Sequence, residues 1–356
     1  MAVNLATKYE KQFAAAFKPT SIFEGKVNSQ YNWEGAKEIA VYSPVTVELN
    51  DYKRSGNERF GKIEEMSTSL QKMALRKDKS FIQALDRGNY TDQQMAISAG
   101  AWLQEEIKSV ATPHTEKCAM AEYINNAGGV NTISAAPTKS TITEALAGLV
   151  VGATNAYAPE DGRYLYVKAS SHGLLRLSPE FVGNDKLGEK ALAKGQIGTF
   201  MGAKVIATPD SYFPANSYAL LARKDSILLP RKIAMFTVKS DPDNIDGWLM
   251  RGRLYFDAFV LGAKCGGVQS LVLASAKQAT PTITYASSAI SIASTGASEI
   301  YYTVDGTDPR YSSSAEKYAS AVSTAGFEDG DYTVKAVAYK SGGFASDVAE
   351  STITVS

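Results

Sequence analysis

The sequence predicts an α+β body over residues 1–273 and an all-β module after it. Three observations carry that prediction. The last 77 of the 356 residues contain no Leu, Met, Trp, Cys, His, Asn or Gln and are dominated by Ser, Thr, Ala, Val, Ile, Tyr and Gly. That is the make-up of a small sandwich whose β-branched and aromatic residues face a thin core. The body, in contrast, mixes segments of helical period with segments of strand period. Its overall composition, 44% hydrophobic and 21% charged with Gly 28 and Pro 12, is ordinary for a globular chain, which excludes fibrous and fully disordered readings.

Taken in order, residues 3–18 hold an amphipathic stretch in which Leu5, Tyr9, Phe13 and Phe17 recur every fourth position until Pro19 stops it. A helix of that size has no core of its own and needs another surface. Residues 39–49 and 67–76 read as two strands joined by a polar, glycine-containing tip, a long ribbon marginal in water without a partner. A long helix follows Thr91, with Met95, Ala99, Trp102, Leu103, Ile107 and Val110 on its apolar stripe and Trp102 expected to face inward. Pro113 should end or kink it, and a shorter helix around Cys118, Ala121 and Ile124 runs to Gly128-Gly129. Thr141 and Glu144 have capping-box spacing ahead of an apolar helix through Leu146, Leu149, Val150 and Ala153. Strands are expected at 163–168, 203–207 and 218–222, and two longer ones at 232–239 and 252–261 around the Asp-, Pro- and Gly-rich loop 241–247.

Residues 274–281 look like a linker closed by Pro281. Beyond it, strands are expected at 282–285, 289–293, 299–304, 331–339 and 349–355, with turns at Asp305-Gly306 and Asp329-Gly330.

Charge and cysteine content narrow the function. With 37 basic and 37 acidic residues the formal net charge is zero, unlike a dedicated nucleic-acid reader. From residue 280 onward four Lys/Arg face nine Asp/Glu, which leaves residues 280–356 at minus five and residues 1–279 at plus five. Two cysteines are too few to staple a chain of this size. No stretch approaches 18 apolar residues, and the first 30 lack a signal-peptide core.

Catalytic and metal-binding constellations are thin. His114, Glu116 and Cys118 invite a zinc reading, but further ligands are lacking, since His172 and Cys265 have no Cys or His near them in sequence. No Gly-x-Ser-x-Gly elbow supports a triad, and residues 262–267 fit neither phosphate-binding glycine pattern. Asp305, Asp308, Glu328, Asp329 and Asp331 read as a solvated acidic rim, with a calcium site as the alternative. Between residues 50 and 79 eight basic side chains, among them Lys53, Arg54, Arg59, Lys62 and Arg76, face five acidic ones, a balance suited to contact between subunits more than to DNA. No enzymatic activity and no cofactor is expected.

The order of segments resembles the major capsid protein of tailed bacteriophages, the Hong Kong 97 type shell fold. The resemblance rests on Leu49-Asn-Asp-Tyr-Lys-Arg54, Met73-Ala-Leu-Arg-Lys-Asp-Lys-Ser-Phe81 and Leu85-Asp-Arg-Gly-Asn-Tyr-Thr91. It continues in Pro159-Glu-Asp-Gly-Arg-Tyr-Leu-Tyr-Val167, residues 198–209 and Gly252-Arg-Leu-Tyr-Phe-Asp-Ala-Phe-Val-Leu261. It implies an N-terminal arm at 1–35, an extended β-hairpin loop at 36–80, a spine helix and peripheral domain at 81–138, an axial domain at 139–230 and returning peripheral strands with a closing segment at 231–273. Contacts between subunits would then involve Phe13, Phe17, Tyr52, Lys53, Arg54, Arg59, Lys62 and Arg76.

The resemblance further implies a homo-oligomeric shell of hexamers and pentamers, assembled in the host cytoplasm around double-stranded DNA, with a separate scaffolding protein and a portal and no membrane partner. Residues 282–356, carrying the turn Asp305, Gly306, Asp308 and Pro309, resemble the immunoglobulin-like module at the C-terminus of some chitobiase and hexosaminidase enzymes. Here it would be a surface domain, with host-surface or mucus glycans as its ligands. The rival readings are an encapsulin-like protein compartment and a glycan-binding adhesin.

Overall fold

The computed structural model describes residues 21–31, 33, 38–45, 49, 51–56, 59–60, 68–88, 98–178, 198–240, 242 and 246–355. The amphipathic stretch with Phe13 and Phe17, the start of the long helix and Lys62 lie outside them.

A six-stranded mixed sheet organises the body. Its order is β4 (Gly129–Ile133), β13 (Val268–Leu273), β8 (Ser217–Arg223), β5 (Arg163–Lys168), β7 (Ala203–Thr208) and β6 (Thr199–Phe200). Both faces are covered, so the central strands read as unbroken apolar runs rather than as alternation. Leu165, Val167, Ala219, Leu221 and Leu271 point to one face, where Ile142, Leu146, Leu149, Val150 and Ala153 pack from one helix. Tyr166, Leu220, Ala222, Val268 and Val272 point to the other, against Ala119, Met120, Tyr123 and Ile124.

The expected strands at 163–168, 203–207 and 218–222 are all present in this sheet. Three further members were not expected there, the shortest being β6 at the edge. The Gly128-Gly129 break leads directly into β4, and the closing segment supplies β13, which pairs parallel to β4 and antiparallel to β8. The two glycines have a packing reason. A Cβ on Gly128 would lie 2.1 Å from the Cys265 carbonyl oxygen, and one on Gly129 would lie 2.0 Å from Oε1 of the buried Gln269.

Strand β1 (Glu38–Pro44) pairs antiparallel with β2 (Thr68–Ala74), from Glu38 opposite Ala74 to Pro44 opposite Thr68. The ribbon is therefore real, but its first strand ends at Pro44, short of the expected residue 49. Its return side also ends early. After Leu75 and Arg76 the chain enters β3 (Lys77–Asp86), which pairs along its whole length with β11 (Gly247–Phe256), itself paired to β10 (Arg231–Ser240). Residues 77–80 thus belong to this three-stranded sheet and not to the ribbon. Strand β11 begins five residues before the expected 252, because Met250, Leu254 and Phe256 on one face bury against the long helix.

That helix is continuous through Pro113. Helix α1 (Ala99–Glu106) passes through a π turn (Ile107–Ala111) into α2 (Thr112–Asn125). The wide turn, with Thr112 N–H donating to the Ile107 carbonyl, absorbs the hydrogen bond that Pro113 lacks, so the proline neither ends nor breaks the rod. The contact stripe is narrower than the sequence implied. Ala99, Leu103 and Ala111 are buried, whereas Trp102 is 36% exposed and Val110 52%.

Helix α3 (Ile142–Asn155) buries the expected residues, but the capping box does not form: the Thr141 hydroxyl accepts from the Thr138 N–H instead. A short helix α4 (Ala169–Arg176) follows β5.

The terminal module is a sandwich of β14 (Thr282–Ala286), β15 (Ala289–Ala293) and β18 (Val322–Ser323) on β17 (Glu316–Lys317), β16 (Glu299–Thr303), β19 (Gly330–Tyr339) and β20 (Ala349–Val355). Ile290, Ile292, Val334, Ala336 and Ile353 fill it, as period-2 patterning of the two inner faces requires.

Two substitutions on one helix test the narrow stripe. Leu103→Ala is expected to cost about 2–5 kcal/mol, and Trp102→Ala only about 0.5–1 kcal/mol. Denaturant unfolding of the two variants in parallel checks the ranking.

Candidate assembly interface

Among the described residues of the ribbon tip, three contacts link Tyr52, Lys53, Gly56, Arg59 and Phe60. Lys53 N–H donates to the Arg59 carbonyl, Arg59 Nε to the Gly56 carbonyl at 3.3 Å, and the Tyr52 and Phe60 rings meet edge to face at 5.0 Å. Lys53, Arg54 and Arg59 are exposed, as are the apolar side chains Tyr42, Val45, Leu49 and Phe60, the last at 84%. Large apolar groups strung along one projection mark a surface made to be covered.

The base of the ribbon is the opposite. Met73 and Leu75 are buried with Trp33, Leu228 and Leu261, and the Trp33 and Phe259 rings stack at 5.5 Å. Where β2 gives way to β3 sits a buried carboxylate, Asp257. It accepts from the backbone N–H of Arg76 at 3.1 Å, from Ala258 N–H at 3.0 Å and from Lys77 Nζ at 2.8 Å. Lys77 Nζ also donates to Glu122 on α2 at 2.6 Å. Burial pulls the Lys77 pKa down, but the hydrogen bonds to Asp257 and Glu122 and their charges outweigh it and hold it above the ordinary lysine value.

Arg76 belongs to this base rather than to the tip: its guanidinium lies 3.7 Å from Asp257 and is largely exposed. The Lys77–Asp257–Glu122 cluster went unnoticed in the sequence. Its one signal was a lone acid inside the apolar run Tyr255-Phe-Asp-Ala-Phe259.

A second junction joins the module to the body. Residues 274–281, expected as a linker, are packed: Ala276 and Gln278 are buried, and Phe344 N–H donates to the Ala276 carbonyl at 2.9 Å. Lys277 Nζ donates to the Val130 carbonyl and to Asp347, at 2.9 and 2.7 Å. Of the turn residues, Asp305 and Gly306 lie at the module's rim, where Asp305 accepts from Thr307 and Ser314. Pro309 is buried, and Asp308 holds Arg310, whose side chain is also buried.

Asp305 and Asp308 are therefore engaged by protein groups, two neighbouring residues and a guanidinium, rather than aimed at a metal position. His114 Nε2 lies 3.7 Å from the Cys118 sulfur, but Glu116 is turned inward and accepts from Ser21 Oγ and Ile22 N–H. Among the described residues no group of three His, Cys, Asp or Glu side chains converges on a metal position, and no helix is long and apolar enough to cross a membrane.

Solved structures share this architecture. A chain of Mycobacterium phage Che8 superposes with a TM-score of 0.63 at 18% identity, over 75% of this chain and 96% of that one. A chain of the capsid of Cyanophage P-SCSP1u gives 0.60 at 11% identity, over 76% and 93%. One from the mature capsid of bacteriophage PhiM1 gives 0.56 at 11%, over 76% and 92%. The chain has a tailed-phage capsid-like fold. A family model described as Fn3 associated matches residues 290–353, within the terminal sandwich. No curated protein matches the chain.

Within that fold the ribbon's attachment is open to a direct test. Lys77→Met removes the cation hydrogen-bonded to the Asp257 carboxylate, leaving only the exposed Arg76 guanidinium at 3.7 Å, and is expected to cost about 3 kcal/mol, whereas the exposed Arg76→Ala costs about 0–1 kcal/mol. Since the Lys77 pKa is raised, its contribution is complete below the ordinary value of 10.5 and is lost as pH climbs through the raised one. Thermal melts across that alkaline range should fall more steeply for the wild type than for Lys77→Met.

Proposed function

We propose that the chain is the major capsid protein of a tailed bacteriophage. Many copies would assemble in the host cell into hexamers and pentamers of an icosahedral or prolate head around double-stranded DNA, with a separate scaffolding protein and a portal. The observation that supports this most is the likeness of three quarters of the chain to phage chains over more than nine tenths of their length. The ribbon adds to it, because its uncovered apolar side chains need a neighbour.

In this reading residues 36–76 are the extended loop, which passes at Lys77 into the three-stranded sheet, the rod from Ala99 to Asn125 is the spine helix, and the six-stranded sheet is the core of the axial domain. Its role is mechanical: each subunit laps onto the next, so the surface buried per copy exceeds what compact monomers share. Contacts would fall on Phe13, Phe17, Tyr52, Lys53, Arg54, Arg59 and Lys62. The terminal sandwich, akin to the accessory modules of chitobiases, would sit outside. Its net charge of minus five would be repelled by packaged DNA, which residues 1–279 at plus five would not be. Host-surface or mucus glycans are the ligands proposed for it.

Electron microscopy of the purified protein should reveal closed shells, and a protein that stays monomeric under all assembly conditions would overturn the reading. Replacing residues 50–63 by a short Gly-Ser turn should leave the melting temperature within about 2 °C, since the tip contributes little to the body, while abolishing shells. Normal shell yield from that variant would remove the ribbon from the assembly mechanism.

A further inference from the structure

We propose that the terminal module has a second task inside its own chain: its loop 308–313 is a brace that fixes the extended ribbon against the body. The loop touches both the ribbon strand β2 and the end of α2. Ser313 N–H donates to the Leu70 carbonyl of β2 at 2.8 Å, on the strand edge that β1 does not occupy. Arg310 Nη1 donates to the Ala127 and Gly128 carbonyls at 2.8 and 3.2 Å, and Tyr311 OH to the Asn126 carbonyl at 2.7 Å. These oxygens follow the C-terminal end of α2, where the helix has no further N–H groups to offer and a cation is favoured.

The contact is built rather than incidental. Arg310 is buried, a costly position for a charge without a partner, and Asp308 supplies one through Nη2 at 2.7 Å and Nε at 3.1 Å. Tyr311 enters the main core of the body together with Phe344. Gly262 leaves room for it, since a Cβ there would lie 2.7 Å from the Tyr311 Cβ. Gly262 N–H in turn donates to Gln71 Oε1, and Gln71 Nε2 donates to the Val260 carbonyl, both at 2.8 Å, so β2 is gripped on adjacent residues by the loop and by the body.

Between β2 and the loop an open cleft of about 390 Å³, bordered by Lys72, Arg76, Ser312 and Ser313, leaves this side of the ribbon unfilled by side chains. The ribbon is held here by discrete bonds, and releasing them frees its angle. A fixed angle presents the apolar tip in one orientation and lowers the ordering cost of docking. The brace would thus serve any partner of the ribbon, and it can be tested apart from the shell reading.

The experiment is hydrogen–deuterium exchange on the full-length, unassembled protein. Arg310→Ala and Ser313→Pro, the latter removing the N–H that reaches Leu70 while keeping Asp308, Arg310 and Tyr311, should each raise exchange of amides 68–74 by about three- to ten-fold while those of β5 and β8 stay protected. Unchanged exchange over 68–74 in Ser313→Pro overturns the brace. Should Arg310→Ala unfold the body, seen as lost protection in β5 and β8, Ser313→Pro decides alone.

Discussion

A two-stranded ribbon does not hold itself together in water, because its hydrogen bonds compete with solvent and it has no second layer to bury its apolar side chains. The surrounding structure meets that constraint at the base. Met73 and Leu75 insert among Trp33, Leu228 and Leu261, and the backbone leaving the ribbon is fixed where Arg76 N–H and Lys77 Nζ reach Asp257. A carboxylate buried this deeply is tolerated because it accepts from two backbone N–H groups and from the Lys77 ammonium, with the Arg76 guanidinium close by.

The long helix is the element to which the other parts connect. Through α1 and the π turn it covers the three-stranded sheet, and through α2 it covers one face of the six-stranded sheet. Its surface also carries the ionic partner of Lys77 and the carboxylate that receives Ser21 and Ile22. The π turn lets one rod serve two sheets, since the extra residue rotates the buried stripe between its halves. Its C-terminal end is finished by side chains from residues 310 and 311, nearly 200 positions later.

That last contact changes how the terminal module is understood. Its composition and charge set it apart, yet its connection is packed and its loop completes the body's core. Display on an outer surface and structural support within the chain are compatible, because the loop at one end of the sandwich meets the body while the acidic turn at Asp329–Asp331 stays exposed.

Periodicity within short windows was legible in the sequence. The strands expected at 163–168, 203–207 and 218–222 show as short apolar runs, while the apolar face of the helix through Leu146, Leu149, Val150 and Ala153 and the five main strands of the module follow from helical repeat and alternation. So did the ribbon and its exposed basic tip. Partner choice was not legible, because it depends on contacts between residues far apart in the chain. Val268–Leu273 reads as an apolar strand in any sheet, and only the fold puts it between β4 and β8. Nothing local to Lys77 names Asp257 or Glu122, and nothing in a turn of Asp, Pro and Arg announces that Arg310 will seat on the carbonyls after a distant helix. The sequence by itself determined which segments fold and which faces are apolar, since those follow from local geometry and transfer from water. The tertiary structure decided which polar groups are buried, because a charge can leave water only where the complete fold brings its partners.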